Sequence, residues 1–82
     1  MDNIRMRKLI VAVDEWFSSF SYYDEDTDDN VIDGTEEECY NSIMQDDELH
    51  LLTTATVKEV ISTAFKDWEK FVKLQHKYKA YC

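Results

Sequence analysis

A single glycine, Gly34, and no proline stand among the 82 residues. Hairpin turns, β-bulges and sheet corners draw on these two residue types for backbone angles that others reach only at a cost. Their scarcity argues against a many-stranded sandwich or barrel and points to an all-α fold. A chain this short builds one core rather than two, so residues 1–82 are read as a single acidic helical domain.

Apolar periodicity supplies the helices. Met6, Ile10, Val13, Phe17 and Phe20 recur at three and four residues, and Leu9 and Trp16 widen the stripe, which predicts a first helix of about five turns. The run from Asp24 to Asp33 has no period, carries mutually repelling carboxylates and leads to Gly34, so it is expected to be an exposed acidic loop between the first and second helices. Thr35 followed by Glu38 is a capping box. It predicts a short helix from Glu36 to Gln45 that buries Cys39, Tyr40, Ile43 and Met44, with its glutamates at the positive end of the dipole. Residues 46–54 read as either a short helix or a strand, and the helix is preferred. Thr56 and Glu59 form a second capping box ahead of Val57, Ile61, Ala64, Trp68, Phe71 and Val72, a stripe that continues to Tyr78 as one long helix. The expected fold is therefore a small bundle of two long helices and one or two short ones.

Charge divides the chain more sharply than hydrophobicity does. Eighteen acids against nine bases give a net charge of -9. No Lys or Arg falls between Lys8 and Lys58, whereas Asp24, Glu25, Asp26, Asp28, Asp29, Asp33, Glu36, Glu37, Glu38, Asp46, Asp47 and Glu48 crowd that span. Such a balance disfavours direct binding to nucleic-acid phosphates or anionic lipid. The apolar run after the amino terminus is interrupted by Asp14 and Glu15, too soon for a secretory signal, and nothing approaches the ~20 apolar residues of a membrane span. Cys39 and Cys82 form at most one bridge and are read as free thiols in a reducing cytoplasm.

Nothing in the sequence names a catalytic chemistry or calls for a cofactor. There is no Gly-rich phosphate loop and no Gly-flanked nucleophilic serine, and Ser18, Ser19 and Ser21 fit the polar face of the first helix. Cys39 lies on the side of its helix expected to be buried, where packing outweighs reactivity. His50 beside Asp46, Asp47 and Glu48 is a weak transition-metal pattern, and His76 on a lysine-rich helix reads as solvated.

Two resemblances bear on function. From Asp26 onward the acidic run resembles an EF-hand calcium loop, with Asp26, Asp28, Asn30 and Glu37 at ligand positions. It departs from that pattern at Val31, where the sharp turn needs Gly, and at Asp33, where an apolar residue is expected. In size and charge the whole chain resembles the small DNA-mimic and anti-defence proteins of phages and mobile elements. That likeness implies a non-enzymatic inhibitor or immunity-type protein whose acidic surface binds the basic nucleic-acid site of a nuclease, restriction or CRISPR effector, or transcription protein. Tyr22 and Tyr23, aromatics beside the carboxylates, complete the expected partner-binding surface. The alternatives are a helical adaptor or homodimer using apolar helix faces, and a weak divalent-ion binder.

Overall fold

The computed structural model describes residues 3–49 and 52–80. Helix α1 spans Asn3–Phe20, strands β1 and β2 span Ser21–Asp24 and Asp29–Ile32, and helices α2, α3 and α4 span Glu36–Ile43, Thr54–Lys66 and Trp68–Tyr78. The molecule is mostly helical, but the expectation of a purely all-α bundle is corrected: an antiparallel two-stranded sheet replaces the acidic loop. The single long carboxyl-terminal helix is likewise two helices.

The hairpin forms without glycine because aspartate does glycine's work. Ser21 pairs with Ile32, Tyr22 with Val31, Tyr23 with Asn30 and Asp24 with Asp29, so strand-favouring Tyr, Val and Ile line both arms. The four residues between the strands close with Asp28 at φ 54°, a left-handed conformation that Asp tolerates better than most residues. At the entry to the turn, the Asp26 backbone N–H donates to the Asp24 carboxylate at 2.9 Å. The Asp33 N–H donates to the Phe20 carbonyl at 2.6 Å, fastening the base of the hairpin to the end of α1.

Gly34 is required by a close approach. A Cβ placed on it would stand 2.6 Å from Cη2 of the Trp16 indole, inside any normal contact distance. The chain then enters α2 as expected: the Glu38 N–H donates to the Thr35 hydroxyl at 3.2 Å, and that hydroxyl donates to the Glu38 carboxylate at 3.1 Å. The second predicted box fails by one turn. Thr53 caps α3, accepting from the Thr56 N–H at 3.2 Å, so Thr56 lies inside the helix. Between α2 and α3, where the sequence favours a short helix over a strand, residues 46–48 form a bend and a turn and Leu49 has 3₁₀-helical geometry; residues 50 and 51 of that stretch lie outside the described residues.

Asp67 ends α3 and starts α4. Its N–H still donates to the Thr63 carbonyl at 2.8 Å, while its carboxylate accepts from the Lys70 N–H at 3.2 Å as an N-cap. With φ −149° and ψ 86° it turns the chain sharply between the two helices, which shifts the phase of the apolar stripe. Val57, Val60, Ile61 and Ala64 of α3 and Phe71 of α4 are buried, but Trp68 remains 42% exposed. The placement of Trp68 in the core is thereby corrected. On α1, Met6, Leu9, Ile10, Val13, Trp16 and Phe17 are buried as the spacing predicts, whereas Phe20 is 44% exposed. The buried side chains form one cluster, with Cys39 and Ile43 of α2, Leu49 and Ala80 completing it. Arg7 Nε donates to the Tyr78 carbonyl at 3.0 Å and so ties the start of α1 to the end of α4.

Three substitutions test this packing. Gly34→Ala is expected to lower stability by about 1–3 kcal/mol, the usual range for overpacking, because the overlapping atoms belong to a buried ring that is packed against Phe20 and Phe65. Phe71→Ala should cost about 3–5 kcal/mol, and Trp68→Ala clearly less, since much of that indole is already in water. Urea unfolding of the three variants checks both expectations.

Candidate functional site at an acidic hairpin

The structure separates the twelve acids of residues 24–48 into three groups. Asp24, Glu25, Asp26, Asp28 and Asp29 sit at the far end of the hairpin, followed by Asp33 at its base. Glu36, Glu37 and Glu38 form the first turn of α2. Asp46, Asp47 and Glu48 lie in the turn after it. All are exposed except half-buried Asp24. They do not make one continuous patch: Glu48 pairs with Lys8, and from Lys8 to the start of the hairpin α1 rises by about 20 Å at ~1.5 Å per residue.

Their surroundings differ as well. Glu48 is compensated by Lys8, and Asp46 accepts from the Glu48 N–H at 2.9 Å. Glu38 is engaged in its own helix cap. Glu36 and Glu37 line an open groove of about 510 Å³ between α2 and α3, and Lys58 lines the same groove with its ammonium 5.2 Å from the Tyr40 ring centroid. Among the described residues no lysine or arginine pairs with Asp24, Glu25, Asp26, Asp28 or Asp29. Asp24 and Asp29 are direct cross-strand partners, an arrangement of like charges that weakens a hairpin. Of the acids in the base-free span, those of residues 24–29 thus gather on the hairpin.

Tyr22 and Tyr23 stand on this projection, 53% and 56% exposed. As neighbours on a strand they point to opposite faces. Tyr22 shares its face with Val31, Asp24 and Asp29, and Tyr23 shares the other with Ser21, Asn30 and Ile32. At the foot of that second face lies an open groove of about 410 Å³, walled by the hairpin, α1 and the α3–α4 junction. Phe17, Phe65, Ile32 and Trp68 give it apolar walls, and Asp14 is the one charged residue in its lining. The Trp68 ring is stacked on Phe17 with centroids 5.1 Å apart and tilted against Phe71 at 4.9 Å. Sequence reading had not singled out this groove. The signal that exposes it is Asp67, a helix-capping residue set in an otherwise continuous stripe, which throws Trp68 off the buried face.

The EF-hand positions do not converge as such a loop requires. Asp26 and Asp28 lie in the hairpin turn, Asn30 is paired within the sheet opposite Tyr23, and Glu37 belongs to α2. Among the described residues no three His, Cys, Asp or Glu side chains are grouped to hold a metal ion. His50 and Cys82 lie outside the described residues. Among those described, no helix is long and apolar enough to cross a membrane.

Cys39 is fully buried in α2. Burial first, and then the Glu36 carboxylate, push its thiol up to about 12, which leaves almost no thiolate for nucleophilic work at neutral pH. A scan against protein-family models, a search of curated proteins and a search of solved structures found no match, so the functional reading rests on these residues and their geometry.

The Cys39 shift fixes the sign of a pH effect. The folded state holds the proton up to about pH 12, while the unfolded thiol releases it from roughly pH 8.5. The stability this thiol contributes is therefore complete below the lower value and is lost as pH rises toward the upper one. In a Cys82→Ser background, the stability gap between the parent and Cys39→Ala should narrow by about 2 kcal/mol between pH 7 and pH 10, as read by urea unfolding at the two pH values.

Proposed function

We propose that the protein is a non-enzymatic inhibitor or immunity-type protein, acting in the cytoplasm, that inserts its acidic hairpin into the basic nucleic-acid-binding surface of a nuclease, restriction or CRISPR effector, or transcription protein. The observation that carries this reading is that, among the described residues, no lysine or arginine pairs with the acids clustered on the hairpin, whereas Lys8 pairs with Glu48 and Lys58 lines the groove of Glu36 and Glu37. Concentrated like charge on a projecting element costs self-repulsion in the free protein, and a basic partner relieves it. Direct binding to nucleic acid or to an anionic membrane runs against the same field.

The adaptor or homodimer reading draws on a different observation, the exposed rings of Phe20 and Trp68. It predicts a contact that persists at high salt, because apolar burial is not screened.

The two readings separate in binding kinetics, measured at two ionic strengths against the partner recovered by pull-down. Changing Asp26, Asp28 and Asp29 together to Asn keeps a residue at position 28 that tolerates the left-handed turn. It should slow association roughly tenfold or more at low salt, with the loss shrinking as salt rises. Changing Glu36, Glu37 and Glu38 together to Gln should slow it less, because Lys58 already shares the groove of the first two. An association rate indifferent to the hairpin charges counts against mimicry and in favour of the apolar contact.

A further inference from the structure

We infer that the groove between the hairpin and the α3–α4 junction is an anchor site for a cationic segment of a protein partner, one in which an apolar side chain is flanked by arginine or lysine. The inference deepens the proposed function and rests on its charge reading for the choice of partner. Phe17, Phe65 and Ile32 supply apolar walls, and the part-exposed Trp68 forms a lip that is seated on two other rings. A large aromatic held rigidly by its neighbours yet left in contact with water is the usual make-up of an interface anchor, since little side-chain freedom is lost when a partner covers it. The charge around the groove selects the flanks of the occupant. Asp14 lines it, no lysine or arginine does, and its far wall is the strand pair that leads to the turn acids Glu25, Asp26 and Asp28, while Asp24 and Asp29 belong to the other face of the sheet. An apolar side chain entering between Ile32 and Trp68 thus brings one neighbouring cation beside Asp14 and sends the other along the strands toward the turn acids. An anionic segment meets repulsion there, and a neutral one gains nothing from the field.

The division of labour is specific: the hairpin charges speed encounter, and the groove slows departure. The probe is the peptide acetyl-Arg-Leu-Arg-amide, titrated into the full chain and followed by the indole N–H resonances of the two tryptophans. The Trp68 signal should move while that of buried Trp16 stays in place. Replacing the leucine by glycine should abolish the shift, and replacing both arginines by citrulline, which keeps their shape and removes their charge, should weaken binding about tenfold, the order expected for two screened charge contacts. Trp68→Ala should weaken the parent peptide by a similar factor, measured through the amide signals of Ile32 and Phe65. Trp68→Phe, which keeps an aromatic lip, serves as the folded control and should recover most of the affinity. Equal binding of the glycine peptide, or full binding by Trp68→Ala, overturns the groove even where the Asp26, Asp28 and Asp29 variant slows association with the partner. Loss of binding in Trp68→Ala with no effect of the hairpin variant or of citrulline keeps an apolar groove but overturns its cationic occupant and the mimicry reading with it. A Trp68 signal that shifts with protein concentration alone, alongside a dimer in sedimentation, assigns the groove to a second copy and also overturns the proposal.

Discussion

The indole of Trp16 lies against the backbone at Gly34, so close that a methyl group there would overlap it. The same ring is stacked on Phe20 with centroids 4.8 Å apart and lies 5.8 Å from that of Phe65 on α3. One buried side chain on α1 therefore fixes where the hairpin must finish, where α2 must begin and how the end of α3 lies beside them. The position of the acidic projection follows from this contact. The hairpin leaves α1 at Phe20, is fastened at its base by the Asp33 to Phe20 hydrogen bond, and must return to Gly34 over the indole. Few contacts join the strands to the helices, so the tip is held by its own turn chemistry rather than by the core.

At the opposite side of the groove the controlling residue is Asp67. As C-cap of one helix and N-cap of the next, it satisfies backbone groups in both directions and so allows a sharp change of direction without a glycine or proline. The change of phase carries Phe71 inward and leaves Trp68 at the surface. Without it, a continuous helix would place Trp68 on the same face as Ala64 and Phe71 by three- and four-residue spacing. The surface aromatic and the capping aspartate are thus two consequences of one local choice, and together with the hairpin they create the apolar groove beneath the acids.

The charge distribution shows how far sequence segregation carries into space. Residues 9–57 hold no base, yet folding brings Lys8 to Glu48 and Lys58 into the groove of Glu36 and Glu37. Both lysines flank the base-free span in sequence, and the antiparallel return of the chain is what folds them back over its ends. Among the described residues no lysine or arginine pairs with the acids of the hairpin. Under the proposed function, the partner-binding surface narrows to Tyr22, Tyr23 and the acids of residues 24–29.

Local patterns in the sequence determined α1, the Thr35 cap with α2, and the burial of Cys39 and Ile43, because three- and four-residue spacing and side-chain capping act within a few residues of one another. They also determined that the chain is mostly helical. The hairpin was legible only in part: Tyr22, Tyr23, Val31 and Ile32 flank a polar turn, but the usual glycine signal is missing because Asp28 takes the left-handed position in its place. The helix break was legible in principle at Asp67, yet the apolar stripe runs across it without interruption, and periodicity alone cannot register a change of direction. Tertiary structure alone decided which acids keep their charge uncompensated, that Gly34 is there to admit an indole rather than to turn the chain, and that Trp68 faces a groove. Each of these depends on a contact between residues far apart in sequence, and the energy of such a contact is not written in the neighbours of either one.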